Sequence, residues 1–184
     1  MATQTKASSK EDVATPEITD EELLDLTPLE QATKINRRFV LWSTGAGLIP
    51  FPMVDIATIL TAQITMLAKM TKAYNIPFSE HRVKNILIPL FSSVGVVPAA
   101  TVLLASLVKF IPIIGQAAGL ISLPVMSGAI SYATGKVFIS HFEAGGTLLD
   151  FNPEKMKDYY KELFEEGKAV AKEAATKQQK ASQL

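Results

Sequence analysis

Charged positions along this chain fall in blocks separated by long apolar runs. Between Arg38 and Lys69 the only charged residue is Asp55, and between Lys84 and Glu143 the only ones are Lys109 and Lys136. A soluble helical domain spreads charge along the outer face of every helix. Here Asn85–Val108 is 24 residues without a charge and Phe110–Gly135 is 26 more. Each exceeds the roughly 20 apolar residues that a membrane-spanning helix needs.

The periodicity inside and around these runs is helical. Thr27-Pro28-Leu29-Glu30 offers a cap, a proline at the first helical position and an acid at the third, so a helix is predicted from Pro28. The run Phe39–Leu67 is interrupted by Gly45, Gly47, Pro50 and Pro52, which predicts a break. Asp55 then suits the positive end of a new helix. From Met53 to Tyr74, Ile56, Ile59, Leu60, Ile64, Leu67 and Met70 share one face, opposite Thr58, Thr65, Lys69 and Lys72. Asn75–Asn85 reads as a polar connector. Pro89, Pro98, Pro112 and Pro124 are expected to kink the apolar helices. Small residues recur at spacing four (Ser127, Ser131 and Gly135; Ala129 and Ala133; Gly115 and Gly119), a spacing that permits close helix–helix approach. Gly135-Lys136 reads as a helix end. Asn152-Pro153-Glu154 opens a C-terminal helix with a stripe of Met156, Tyr159, Leu163 and Val170, expected to fray after about Ala175.

The predicted fold class is all-α: one short or re-entrant hairpin turning near Pro50–Pro52, one long hydrophobic hairpin turning near Lys109–Pro112, and amphipathic helices at both ends. Arms of about 14 residues make the first hairpin about 21 Å deep, short of a ~30 Å hydrocarbon core. The expected organisation is an acidic disordered tail over 1–27, a helical membrane-associated domain over 28–152, an amphipathic helix over 153–175 and a disordered tail over 176–184. Basic clusters at Lys34/Arg37/Arg38, at Lys69–Lys84 and at Lys136 with the C-terminal lysines place the tails and the Tyr74–Lys84 connector in the cytoplasm. A short repeat sets Leu48-Ile49-Pro50 against Phe110-Ile111-Pro112, each opening a stretch that ends in lysine.

Composition narrows the chemistry. The net charge is zero with 48% hydrophobic residues, so no nucleic-acid partner is indicated. The absence of cysteine excludes disulfides, cysteine zinc sites and thiol nucleophiles. No cleavable signal stands at the start, so internal segments would direct membrane entry. Gly135-Lys136 is followed by Val137 rather than Ser or Thr and is not a phosphate loop. His141-Phe142-Glu143 has no cysteines to complete a zinc site, and His141 and His81 read as surface histidines. No catalytic, cofactor-binding or metal-binding residue is expected. Asp55 is a candidate functional residue, because an acid within an apolar run is costly, although an N-terminal helix cap just after Pro52 is the simpler reading. Lys109 is the second candidate and reads as a turn residue snorkelling to water.

The run Ala46–Asp55, followed by Gln63, Met66-Leu67 and Lys72–Ile76, resembles a known pattern. So does Lys109–Gly115, followed by Gly119 and Tyr132–Lys136. Together, over about Lys34 to Gly167, they resemble an uncharacterised family of bacterial membrane domains that includes YcjF-like inner-membrane proteins and domains fused behind Era-like GTPases. The resemblance implies a bacterial inner-membrane location and a partner or anchor role toward a GTPase, without a reaction. The expectation is a non-enzymatic membrane anchor or scaffold for a partner protein, with the bilayer and a second copy as further partners. A small channel or transport subunit remains open. So does a soluble oligomerisation module in which amphipathic helices wrap the hydrophobic ones, which the modest mean hydropathy of +0.22 allows.

Overall fold

The computed structural model describes residues 16, 18–19, 21–46, 56–96 and 123–181. These form five helices: α1 (Pro28–Ala46), α2 (Ile56–Ala73), α3 (Glu80–Ser93), α4 (Leu123–Glu143) and α5 (Pro153–Ala181). Among the described residues there is no strand.

Local chemistry sets most of the helix ends. The Thr27 N–H donates to Glu30 Oε2 at 2.9 Å, and the Glu30 N–H returns to Thr27 Oγ1 at 3.4 Å, closing the expected capping box of α1. Those bonds from the Thr27 backbone and hydroxyl hold the Glu30 carboxyl below its ordinary range. Ser79 caps α3 by accepting the Arg82 N–H. Glu80, His81, Arg82 and Lys84 therefore belong to a helix rather than to the expected connector. Asn152 accepts the Lys155 N–H at 3.3 Å and starts α5.

Three helices stop in the same way. At α2 the N–H of Ile76 reaches Thr71 O and that of Asn75 reaches Lys72 O, with Asn75 at φ 54°. Val96 and Gly95 repeat the pattern after α3, and Gly146 and Gly145 after α4. Each is a left-handed C-terminal cap that satisfies the last carbonyls. Gly95, at φ 75°, ends α3 within the apolar run. The expected continuous helix Asn85–Val108 does not form. Hydrophobicity alone hides that stop, because the glycine acts through its backbone.

The long hydrophobic hairpin is accordingly corrected. Among the described residues no helix is long and apolar enough to cross a membrane. Of its second arm, Leu123–Gly135 lies in α4, which continues through Gly135 and Lys136 to Glu143. Gly135-Lys136 is thus not a helix end. Pro124 stands in the first turn of α4, where it need not kink the helix, and α3 runs on through Pro89. Lys109, its turn and both copies of the Ile-Pro repeat lie outside the described residues.

Helix α4 is the centre of the bundle, flanked chiefly by α1 and α5. It runs antiparallel to α1, since Ser43 meets Ser131 while Thr44 faces Gly128. It runs antiparallel to α5, since Ala171 faces Gly128 while Tyr160 meets Thr134. It runs parallel to α2, since Gln63 bonds Ser131 and Tyr74 bonds Glu143. The apolar helix is therefore wrapped by protein. Phe39, Met66, Leu67, Leu87, Phe138 and Tyr160 are among the largest fully buried side chains. In α3, Val83, Ile86, Leu87, Leu90 and Phe91 form one buried stripe.

Two expected details change. In α5 the buried face is Tyr160, Leu163, Phe164, Gly167 and Ala171, while Tyr159 and Val170 are exposed. The helix also continues six residues past Ala175, to Ala181. Leu163 and Met156 of the expected stripe do pack on the core, while Tyr159 and Val170 do not, because the true face also uses small residues, which hydrophobicity undervalues. Within the N-terminal segment expected to be disordered, Ile18 is buried and Glu22 pairs with Arg38 at 2.5 Å.

Candidate functional site

The helix directions give the bundle two unlike ends. One, the turn end, holds the start of α1 and the connectors 74–79 and 144–152. The other, the apolar end, holds the last turns of α1 and the first turns of α2 and α4. Arg38 is the last charge in α1, Lys69 the first in α2 and Lys136 the first in α4. The charge-free halves of all three helices thus lie together. Helix α5 spans both ends. Gln178 Nε2 donates to Leu41 O at 2.9 Å, so the C-terminal half of α5 reaches the apolar end. The last turns of α5 therefore lie at the end of the bundle opposite to the Tyr74–Lys84 segment.

A seam of buried polar side chains runs between the helices. Ser43 Oγ and Ser131 Oγ share a hydrogen bond of 2.8 Å, and Gln63 Nε2 donates to Ser131 Oγ at 2.8 Å. Thr134 Oγ1 and Tyr160 OH are 3.1 Å apart. Burial pushes the Tyr160 phenol well above its usual range, against a smaller opposite effect of Thr134. Asn36 Oδ1 and Gln63 Oε1 are buried and find no donor among the described residues. Small residues make room for the seam. A Cβ at Gly128 would lie 2.5 Å from Thr44 Oγ1, and one at Gly167 would lie 2.9 Å from Ala129 O. The row Ser131, Gly135, Ala129 and Ala133 is buried, which gives the spacing of four its packing role.

The seam offers hydroxyls and amides, which fix helix register. Tyr132 OH donates to Glu166 Oε1 at 2.5 Å, tying α4 to α5. Burial first, then that carboxylate, pushes the Tyr132 phenol up to about 12. His141 meets Thr147 O at 2.9 Å, whereas Glu143 accepts from Tyr74 at 2.6 Å. The two are committed to different elements. Lys136 is exposed, with its ammonium 5.7 Å from the Tyr132 ring centre. His81 lies 3.2 Å from Asn85 Nδ2 on the surface of α3. Among the described residues no group of three or more His, Cys, Asp or Glu side chains is placed to hold a metal ion. Asp55 lies outside the described residues, immediately before α2.

Sequence reasoning did not single out Asn36, Ser43 or Tyr160. The available signal was polar residues at apolar-periodic positions, as with Gln63 among Ile59, Ala62, Met66 and Leu67.

The family model of a domain of unknown function, DUF697, matches residues 18–169. The chain belongs to the DUF697 family. The match begins at the buried Ile18 and takes in all five helices, ending within α5. The chain is also 34% identical over 151 residues to magnetosome membrane protein 22 of Magnetospirillum gryphiswaldense. That alignment covers 82% of this chain and 77% of the relative. No solved structure matches this DUF697 chain.

Proposed function

We propose that this chain is a non-enzymatic, membrane-associated helical protein that anchors or scaffolds a partner protein. The observation carrying the reading is the gathering of the charge-free halves of α1, α2 and α4 at one end of the bundle. A soluble helix bundle has no need to segregate charge along its axis, since its apolar faces are already buried sideways. A membrane-facing end accounts for the asymmetry. The similarity to a magnetosome membrane protein supports the same reading.

The mode of attachment in this reading is insertion of the apolar end, with the bundle standing on the membrane. In α2 and α4 the charge-free halves run from Ile56 to Ala68 and from Leu123 to Gly135. At 1.5 Å per residue each is about 20 Å long, too short to span a ~30 Å core. The turn end then faces the aqueous side and the partner. Leu24, Phe78 and Leu149 are exposed there, and Arg82 holds the Leu149 carbonyl at 3.3 Å. The buried face of α5 is filled by its neighbours, so α5 offers a partner its charged outer face with the exposed Tyr159 and Val170. The resemblance to YcjF-like proteins and to domains fused behind Era-like GTPases makes a GTPase the partner class to test first.

Flotation of the full chain with phospholipid vesicles tests the reading. The protein should rise with the vesicles in detergent-free buffer. A monodisperse monomer left at the bottom of the gradient would contradict it.

A further inference from the structure

Helix α5 carries opposite charge in its two halves. Near the turn end, residues 154–166 set Lys155, Lys157 and Lys161 against five acids. Residues 168–181 set Lys168, Lys172, Lys177 and Lys180 against Glu173 alone. The second half is the one that Gln178 pins to Leu41 and Gly45, at the apolar end. Lys172, Lys177 and Lys180 line one shallow surface with Ala169, Glu173 and Thr176. That surface points away from the buried Ala171, Ala174 and Ala175. The described parts of α1, α2 and α4 bring no acid to this end.

We propose that Lys172, Lys177 and Lys180 form a docking surface for anionic phospholipid headgroups. The proposal rests on the membrane reading above and adds the lipid class. Basic side chains at the edge of an inserted apolar surface sit at headgroup depth, where a negative leaflet attracts each of them. The Lys177–Glu173 pair, 2.6 Å apart with both side chains at least 69% exposed, is a weak surface pair that a phosphate can replace. A helix C-terminus also favours lysine through its dipole. That effect needs lysine only in the last turn, whereas Lys172 stands more than two turns before Ala181.

The test is co-sedimentation of the full chain with phosphatidylcholine vesicles, with and without 30% phosphatidylglycerol (a composition set by the experiment). The K172Q/K177Q/K180Q variant is compared with K155Q/K157Q/K161Q, which removes equal charge from the turn-end half. Circular dichroism checks that both remain helical. The parent should bind anionic vesicles more tightly, by about fivefold per lysine and about a hundredfold in all, with the preference fading as salt rises. K172Q/K177Q/K180Q should bind both vesicle types alike, and K155Q/K157Q/K161Q should keep the preference. Equal parental binding to both vesicle types overturns the lipid class and leaves the membrane reading standing. Binding to neither overturns the membrane reading itself. Equal loss in both variants reduces the effect to net charge and overturns the site. Duplex DNA that competes with anionic vesicles at equal phosphate concentration would assign the surface to nucleic acid instead.

Discussion

The side chain of Asn36 in α1 lies directly on Gly135 in α4. A Cβ at position 135 would overlap the Cγ, Oδ1 and Nδ2 atoms of that amide. Gly135→Ala should therefore destabilise the bundle by about 1–3 kcal/mol, the usual range for overpacking. Thermal unfolding should report a fall of roughly 3–10 °C for a chain of this size. Adding Asn36→Ala should recover much of it, because the three atoms nearest to that Cβ all belong to the amide. A neutral Gly135→Ala would show that the helices stand further apart.

Gln63 tests the buried seam. Its Nε2 is bonded to Ser131, whereas its Oε1 has no donor among the described residues. Gln63→Met forfeits a bond of about 1 kcal/mol and removes a buried oxygen whose desolvation costs about 1–3 kcal/mol. Ser131 keeps its bond to Ser43. The melting temperature should stay level or rise. A loss above about 2 kcal/mol would mean that Oε1 is satisfied in solution.

Gly95 should matter for a different reason. It sits at φ 75° with open space around its Cα, so Gly95→Ala meets no clash and costs about 1 kcal/mol through the backbone alone. Chemical denaturation should show that loss with an unchanged m-value.

Stability should fall at both extremes of pH. Hydrogen bonding to Arg38 holds the exposed Glu22 carboxyl below its ordinary value, and Thr147 does the same for Asp150. Groups with lowered native pKa values bind fewer protons folded than unfolded, so their contribution is present at neutral pH. It fades as pH falls from about 5 through the native values. Glu22→Gln should flatten that slope. Tyr132 is raised to about 12 from an ordinary 10.0. Its contribution is complete below 10.0 and is lost as pH climbs through about 12. Tyr74 and Tyr160 are also raised, so tyrosinate absorbance should show several late-titrating phenols, of which Tyr132→Phe removes the one near 12.

The starts of α1 and α5 were legible in the sequence, because Thr27–Glu30 and Asn152–Pro153 state their capping chemistry in consecutive residues. The helical face of α2 was legible too, with Ile59, Leu67 and Met70 buried. The course of α3 was not. An uncharged run from Asn85 looks the same whether lipid or protein covers it, and the cap at Gly95 depends on a backbone angle. The α5 face was misassigned because Gly167 and Ala171 pack by being small. Asn36 and Gln63 stayed hidden because amides at core positions resemble surface residues until their neighbours are known.

The apolar end of the bundle is the one that should meet the membrane. The chain has no cysteine, so single Leu41→Cys and Leu149→Cys variants can each carry one environment-sensitive fluorophore. Both leucines are exposed, one at the apolar end and one at the turn end. On adding vesicles, emission from position 41 should shift to the blue and brighten, while position 149 should stay unchanged. A response at 149 with none at 41 would contradict the proposed orientation, and silence at both positions would contradict membrane association.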